Sequence, residues 1–155
     1  MTLSARILGC GSSAGVPRLG GGWGACDPTE PRNRRQRCAL LLRRRGADAV
    51  TTVLIDTGPD MRAQLLDAAV DRLDGVLYTH EHADHTHGID DLRPFAIHGR
   101  KKVDVWFDAP TSAMLHQRFG YVFATPPGSE YPPILTEHPI KHGETVSIDG
   151  PGGGI

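Results

Sequence analysis

The stretch that most restricts this chain is Tyr78–Asp91, YTHEHADHTHGIDD, which crowds four histidines and four acidic side chains into fourteen positions. It follows directly on the apolar run DGVLYT, so the histidines emerge from the C-terminal end of a buried strand. Alternate residues of an extended segment point to the same side, which lets His80 and His82 reach one cation together. Asp84 and His85 come after the chain has begun to turn, and face a second cation beside the first. Imidazole with carboxylate suits zinc, manganese or iron rather than calcium, which prefers all-oxygen shells. The bland reading is a surface loop with chance histidines. The periodicity directly after a strand argues against it. Glu81, His87 and Asp90 fit the pattern less well, and Glu81 and His87 are expected to face solvent.

Around this stretch, β-prone and helical runs alternate. SARILGC reads as a short buried strand running into the glycine-rich loop GCGSSAGVPRLGGGWG, which is neither helix nor regular strand. RCALLLRR and TTVLIDTG are strands joined by RGAD, a hairpin turn. In GPDMRAQLLDAAV the period becomes helical: Met61, Leu65, Leu66 and Ala69 share a face, and Pro59 sits near the start, where it is tolerated. A short helix is expected to begin within GIDDLRPF, a strand at VDVWFD and a helix at APTSAMLHQRFG. Further strands are expected at EHPI and ETVSID. The class is α/β, and residues 1–155 read as one domain. The ending SIDGPGGGI reads as a strand entering a turn with no strand after it, as though the chain were cut.

Composition narrows the function classes. With 39% hydrophobic and 23% charged residues, the chain matches a globular protein. A net charge of −1 gives no whole-molecule bias toward nucleic acid or membrane. One local bias exists: Arg32, Arg34, Arg35 and Arg37, then Arg43, Arg44 and Arg45, form a basic cluster, either a solvated strand edge or an anion-binding surface. Three cysteines, Cys10, Cys26 and Cys38, lack framework spacing, and Cys38 is expected in the core. The N-terminus is too short in apolar residues for a signal peptide, and no stretch has transmembrane length, so a cytoplasmic location is expected.

His80-x-His82-x-Asp84-His85 after a hydrophobic strand resembles the HxHxDH signature of the metallo-β-lactamase fold. ILGCGSSAGVP and LIDTGPDMRAQL agree with it in type and order. The GSSAGVP loop resembles the branch containing phosphoribosyl 1,2-cyclic phosphate phosphodiesterase, near tRNase Z. The resemblance implies an αββα sandwich of which this chain covers roughly the N-terminal half. It implies two divalent metal ions, zinc or manganese, with His80 and His82 on the first and Asp84 and His85 on the second. Asp56 would brace the histidine loop, or be a plain helix N-terminal acid. Ser12 and Ser13 would be donors beside the metals, or part of a tight turn. His142 in KHGE is a weaker candidate for a third histidine. The remaining ligands of the family pattern are expected beyond Ile155. A structural zinc is not expected, because Asp27 and Glu30 stand where thiolates would be needed.

Two cations about 3.5–4 Å apart make hydroxide available at neutral pH, with Asp84 orienting it as well as binding metal. The expected activity is that of a phosphodiesterase acting on a small cyclic or nucleotide-like phosphodiester. A tRNase Z-like nuclease acting on RNA and a thioester or acyl hydrolase are the enzymatic alternatives. A truncated, non-catalytic metal- or nucleotide-binding domain is the other. No membrane partner is expected, and a homo-oligomer is compatible with the composition.

Overall fold

A computed structural model describes residues 1–155. Its centre is a six-stranded sheet in sequential order: β1 (Thr2–Gly9), β2 (Ala39–Arg45), β3 (Val50–Ile55), β4 (Gly75–Leu77), β5 (Val103–Phe107) and β6 (Leu135–Pro139). β1–β2 and β2–β3 are antiparallel, the latter closed by a turn in which Gly46 N donates to Ala49 O at 2.9 Å. β3 to β6 are parallel, so their connections must cross over. Those crossovers contain α1 (Met61–Asp67), α2 (Ala83–Thr86), α3 (Arg93–Gly99) and α4 (Ala109–Phe119).

Leu41, Leu54, Val76 and Val105 occupy paired registers across four strands and form one apolar face. Met61 and Leu65 of α1, Ile89 and Leu92 of the turn before α3, and Leu115 of α4 cover that face in one core. Each fully buried side chain of this size contributes about 1.5–3 kcal/mol. The opposite face carries Leu40, Leu42, Ile55, Leu77 and Trp106, all half-buried, with Leu3 and Ile7 exposed at the edge. Helices on one face of a mixed sheet make up one half of an αββα sandwich.

Several local expectations are corrected. Leu66 is 65% exposed and does not share the buried face of α1; buried Gln64 takes that place, its Nε2 donating to Arg37 O at 2.9 Å. A polar residue is tolerated there because its donor is satisfied. ETVSID is no strand, although Ile148 and Ile155 pair through two backbone hydrogen bonds across the glycine turn. Ile148 lies against Trp106 and Gly75, where a Cβ would collide with both side chains. Cys38 is exposed, because it precedes β2 where the β1–β2 register shifts. All three cysteines are free. No helix is long and apolar enough to cross a membrane.

Both β1 and β3 run antiparallel to β2, and β4 to β6 follow β3. The C-terminal ends of all strands except β2 therefore form one rim, where open sheets of parallel strands place their ligand-binding loops.

Candidate metal centre

Two connections on this rim, the one after β3 and the one after β4, meet around Asp56. The residue ends β3 with φ of 66° and is 3% exposed. A left-handed non-glycine residue costs about 1–3 kcal/mol, a strain that persists where surrounding bonds over-determine it. Here they do. Asp56 Oδ1 accepts from Thr79 N at 2.8 Å, and Oδ2 accepts from Thr79 Oγ1 at 2.8 Å and from His85 Nδ1 at 2.7 Å.

These bonds assign two tautomers. The Thr79 hydroxyl has one proton, which goes to Asp56, so toward His80 Nδ1 at 2.9 Å it can only accept. His80 therefore carries its proton on Nδ1. His85 likewise gives Nδ1–H to Asp56. Both imidazoles are left with an Nε2 lone pair, the orientation that carboxylate partners impose on metal-binding histidines.

The backbone around the histidines is equally fastened. His82 caps the start of α2 in an extended conformation, and its carbonyl accepts from Thr86 Oγ1 at 2.9 Å and from His85 N at 3.0 Å. Thr57 N donates to His85 O at 2.8 Å, and Gly88 N to Thr57 O at 2.7 Å. Such close passage needs glycine on both sides: a Cβ on Gly58 would meet the Asp84 carbonyl, and one on Gly88 the Gly58 carbonyl. Beneath, Tyr78 is 2% exposed and shares a 2.9 Å hydrogen bond with the Thr57 hydroxyl. Burial pushes its phenol well above the usual range, keeping it neutral.

The structure brings His80, His82, Asp84 and His85 together. The His80 ring centroid is 4.6 Å from that of His82 and 4.1 Å from that of His85, and His85 Nε2 lies 3.3 Å from Asp84 Oδ2. Three imidazoles and a carboxylate are the donor chemistry of a borderline divalent cation, and the Nε2 orientation fits it. No three His, Cys, Asp or Glu side chains converge tightly enough to hold an ion by themselves. The donors thus form an oriented but open set.

Other candidates lie apart. Ser12 and Ser13 are exposed; the Ser13 carbonyl accepts from Arg37 Nε at 3.1 Å, and neither hydroxyl takes part in a hydrogen bond. His142 is exposed beyond β6 and makes no hydrogen bond with the histidine loop. His87 is exposed with its ring against Phe119, and Asp90 pairs with Arg93 at 2.8 Å. Two participants carried little sequence signal. Thr79 transmits the Asp56 carboxylate to His80, and only its place before the first histidine hinted at this. Arg118 of α4 donates to Glu81 O at 2.9 Å and borders, with His82, His87 and Phe119, a hollow of about 510 Å³.

Comparison with known proteins agrees with this architecture. Residues 51–154 match the model of the beta-lactamase superfamily domain. A diphosphatase of the PhnP family shares 32% identity and a TM-score of 0.74, covering 91% of this chain and 52% of its own. Zinc-bound PqqB from Methylobacterium extorquens, at 18% identity and TM-score 0.63, shares the fold over 94% of this chain and 48% of its own. An octanoyltransferase of Porphyromonas gingivalis is 39% identical over 137 residues, 87% of this chain and 26% of that protein. The chain thus spans about a quarter of the curated relative and about half of the solved structures. The chain belongs to the beta-lactamase superfamily. Within it, the chain has the metallo-β-lactamase fold and resembles the PhnP-like phosphodiesterases.

Proposed function

We propose that residues 1–155 form a single domain that supplies half of the active site of a metal-dependent phosphodiesterase acting on a small, cyclic or nucleotide-like phosphodiester. The observation that carries this reading is the pair of Nδ1 hydrogen bonds, His80 with Thr79 and His85 with Asp56, which leave Nε2 of both rings turned away from these partners. His80 and His82 would hold one divalent cation, and Asp84 and His85 a second, with zinc or manganese suiting the donors. When bound, such cations lower the pKa of water and neutralise charge on the attacking and leaving oxygens of a phosphoryl centre.

The chain's own contribution is orientation. Asp56 holds His85 by Nδ1 and so fixes its ring, while Thr79 passes the same constraint to His80. Asp84, whose Oδ2 lies 3.3 Å from His85 Nε2, would bind the second cation and orient the hydroxide. The likeness to a PhnP-family diphosphatase, an enzyme whose name places its reaction at phosphorus, favours a phosphoryl substrate over a thioester. Acyl chemistry is the second reading, favoured by the octanoyltransferase likeness.

In a protein that carries these residues together with the rest of the site, hydrolysis of bis-p-nitrophenyl phosphate dependent on added manganese or zinc is expected. Turnover of an acyl thioester with the phosphodiester untouched would overturn the proposal. Metal binding with neither activity would identify a non-catalytic metal-binding domain.

A further inference from the structure

The β1–β2 ladder continues past its last regular pair. Gly9 stands opposite Ala39, and two positions further on a bridge joins Gly11 to Arg37. Cys10 and Cys38 lie between these two pairings and therefore face one another. The register shift between Ile7 and Gly9 is what aligns them. Continued unshifted from the Ile7–Leu40 pair, the register would set Cys10 opposite Arg37 instead. Bulges of this kind re-aim side chains and are features of a fold rather than defects.

The two cysteines also share a face. Gly9 and Ala39 point toward α1: a Cβ on Gly9 would meet Gln64 Nε2 at 2.7 Å, and Ala39 is buried. Alternation along both strands turns the next residues, Cys10 and Cys38, to the opposite side, and both are exposed. Cysteine is among the residue types most often buried, so two exposed thiols facing one another call for an account that core packing does not give. Opposite residues of an antiparallel pair have Cα atoms about 4.5–5.5 Å apart, within the roughly 4.4–6.8 Å that a disulfide spans. Cys26, the third thiol, is half-buried with Arg35 Nη1 4.0 Å from its Sγ, and it belongs to no pairing of the ladder.

We propose that Cys10 and Cys38 form a redox-responsive pair, which a hydroperoxide converts into a cross-strand disulfide tying together the two ends of the glycine-rich connection. The sulfur of one thiol attacks the peroxide. The O–O bond breaks, an alcohol (water, for hydrogen peroxide) leaves, and that sulfur becomes a sulfenic acid. The second sulfur then attacks the first; the S–O bond breaks, and hydroxide leaves with the second thiol's proton as water. Two electrons pass from the thiols to the peroxide, so one hydroperoxide is consumed per disulfide. An exposed disulfide is open to attack by a thiolate, so a thiol reductant reverses the step. The pair uses none of the residues of the histidine cluster, and it stands whether or not the chain hydrolyses a phosphodiester.

The test treats the reduced chain, freed of reductant and kept in EDTA, with a small excess of hydrogen peroxide. Two of the three thiols should be lost, and the intact mass should fall by two hydrogens without formation of a dimer. After alkylation of the remaining thiol, trypsin cuts at Arg6, Arg18, Arg37 and Arg43 and so puts the three cysteines on separate peptides. A cross-link between the peptides 7–18 and 38–43 is expected, and dithiothreitol should remove it. It should be lost in Cys10→Ser and in Cys38→Ser and kept in Cys26→Ser. Where circular dichroism shows a serine variant unfolded, the peptide map of the unaltered chain decides alone. A bond that includes Cys26, a bond between two chains, or sulfinic acid on Cys10 or Cys38 without a cross-link overturns the pair. Survival of all three thiols overturns it equally.

Discussion

The two charged clusters on the rim are held in opposite ways. Around Asp56 the supporting groups are committed: the carboxylate holds three hydrogen bonds, Nδ1 of His80 and of His85 is bonded, and glycines let the loops touch. Around Arg34 and Arg35 the backbone is tied down, but the charged ends have no counter-charge. The first arrangement is that of a site whose donors must sit within a fraction of an ångström. The second leaves two long, adaptable side chains with no neighbouring carboxylate to fix their charged ends.

Removing a donor from the committed cluster has the largest expected effect. His82→Ala should lower bound metal, read by elemental analysis, and abolish any hydrolysis. Unchanged stoichiometry would remove His82 from the ligand set. Arg34→Ala, by contrast, should leave the metal content unaltered.

The orienting carboxylate comes next. Asp56→Asn keeps the shape but loses the acceptor that both Thr79 and His85 use, and should weaken metal binding about 10–100-fold, as loss of such partners commonly does. Equilibrium dialysis would show it. Asp84→Asn should weaken mainly the second cation and reduce kcat more than substrate binding. Loss of both cations together would mean that the two positions are not separable.

A smaller contrast concerns the glycines. Gly58→Ala drives a methyl into the Asp84 carbonyl and should cost about 1–3 kcal/mol in urea unfolding, with metal binding impaired. Gly21, at φ of 87°, has open space around it, so Gly21→Ala should cost about 1 kcal/mol from backbone strain alone. Equal costs would contradict the difference in packing between the two loops.

The smallest effect lies away from both clusters. For Glu137, burial raises the carboxyl pKa, but hydrogen bonds from Ser112 and His116 outweigh it and hold the group below its ordinary 4.5. Burial of Asp104 is likewise outweighed by His138 and Lys101, keeping it below 3.8. A depressed folded pKa adds stability above the unfolded value, lost as pH falls through the folded one. Thermal stability should therefore decline below pH 4.5 and further below 3.8. Glu137→Gln and Asp104→Asn should flatten that decline. An unchanged slope would show that these partly exposed pairs contribute nothing measurable.

Local pattern alone carried much of the architecture. The apolar, β-prone runs located all six strands within a few residues, although β1, expected to be buried, is exposed along its edge because no strand or helix covers it there. The spacing of His80, His82, Asp84 and His85 likewise anticipated that they gather at the end of β4, since that depends only on the extended and turning backbone between them. Other features come from residues far apart in the chain and left no local signal. Leu66 and Gln64 exchange exposure because Arg37, 27 positions from Gln64, offers a carbonyl to the buried amide. The histidine tautomers depend on Asp56 reaching Thr79 and His85 across 23 and 29 positions. The sequence showed seven arginines in two basic runs; that Arg37 gains a carboxylate while Arg34, Arg35, Arg43, Arg44 and Arg45 do not was decided only when folding delivered Asp60 to Arg37. Periodicity reports a residue's own backbone, whereas hydrogen bonding and charge compensation are settled by whichever partner the fold brings within about 3 Å.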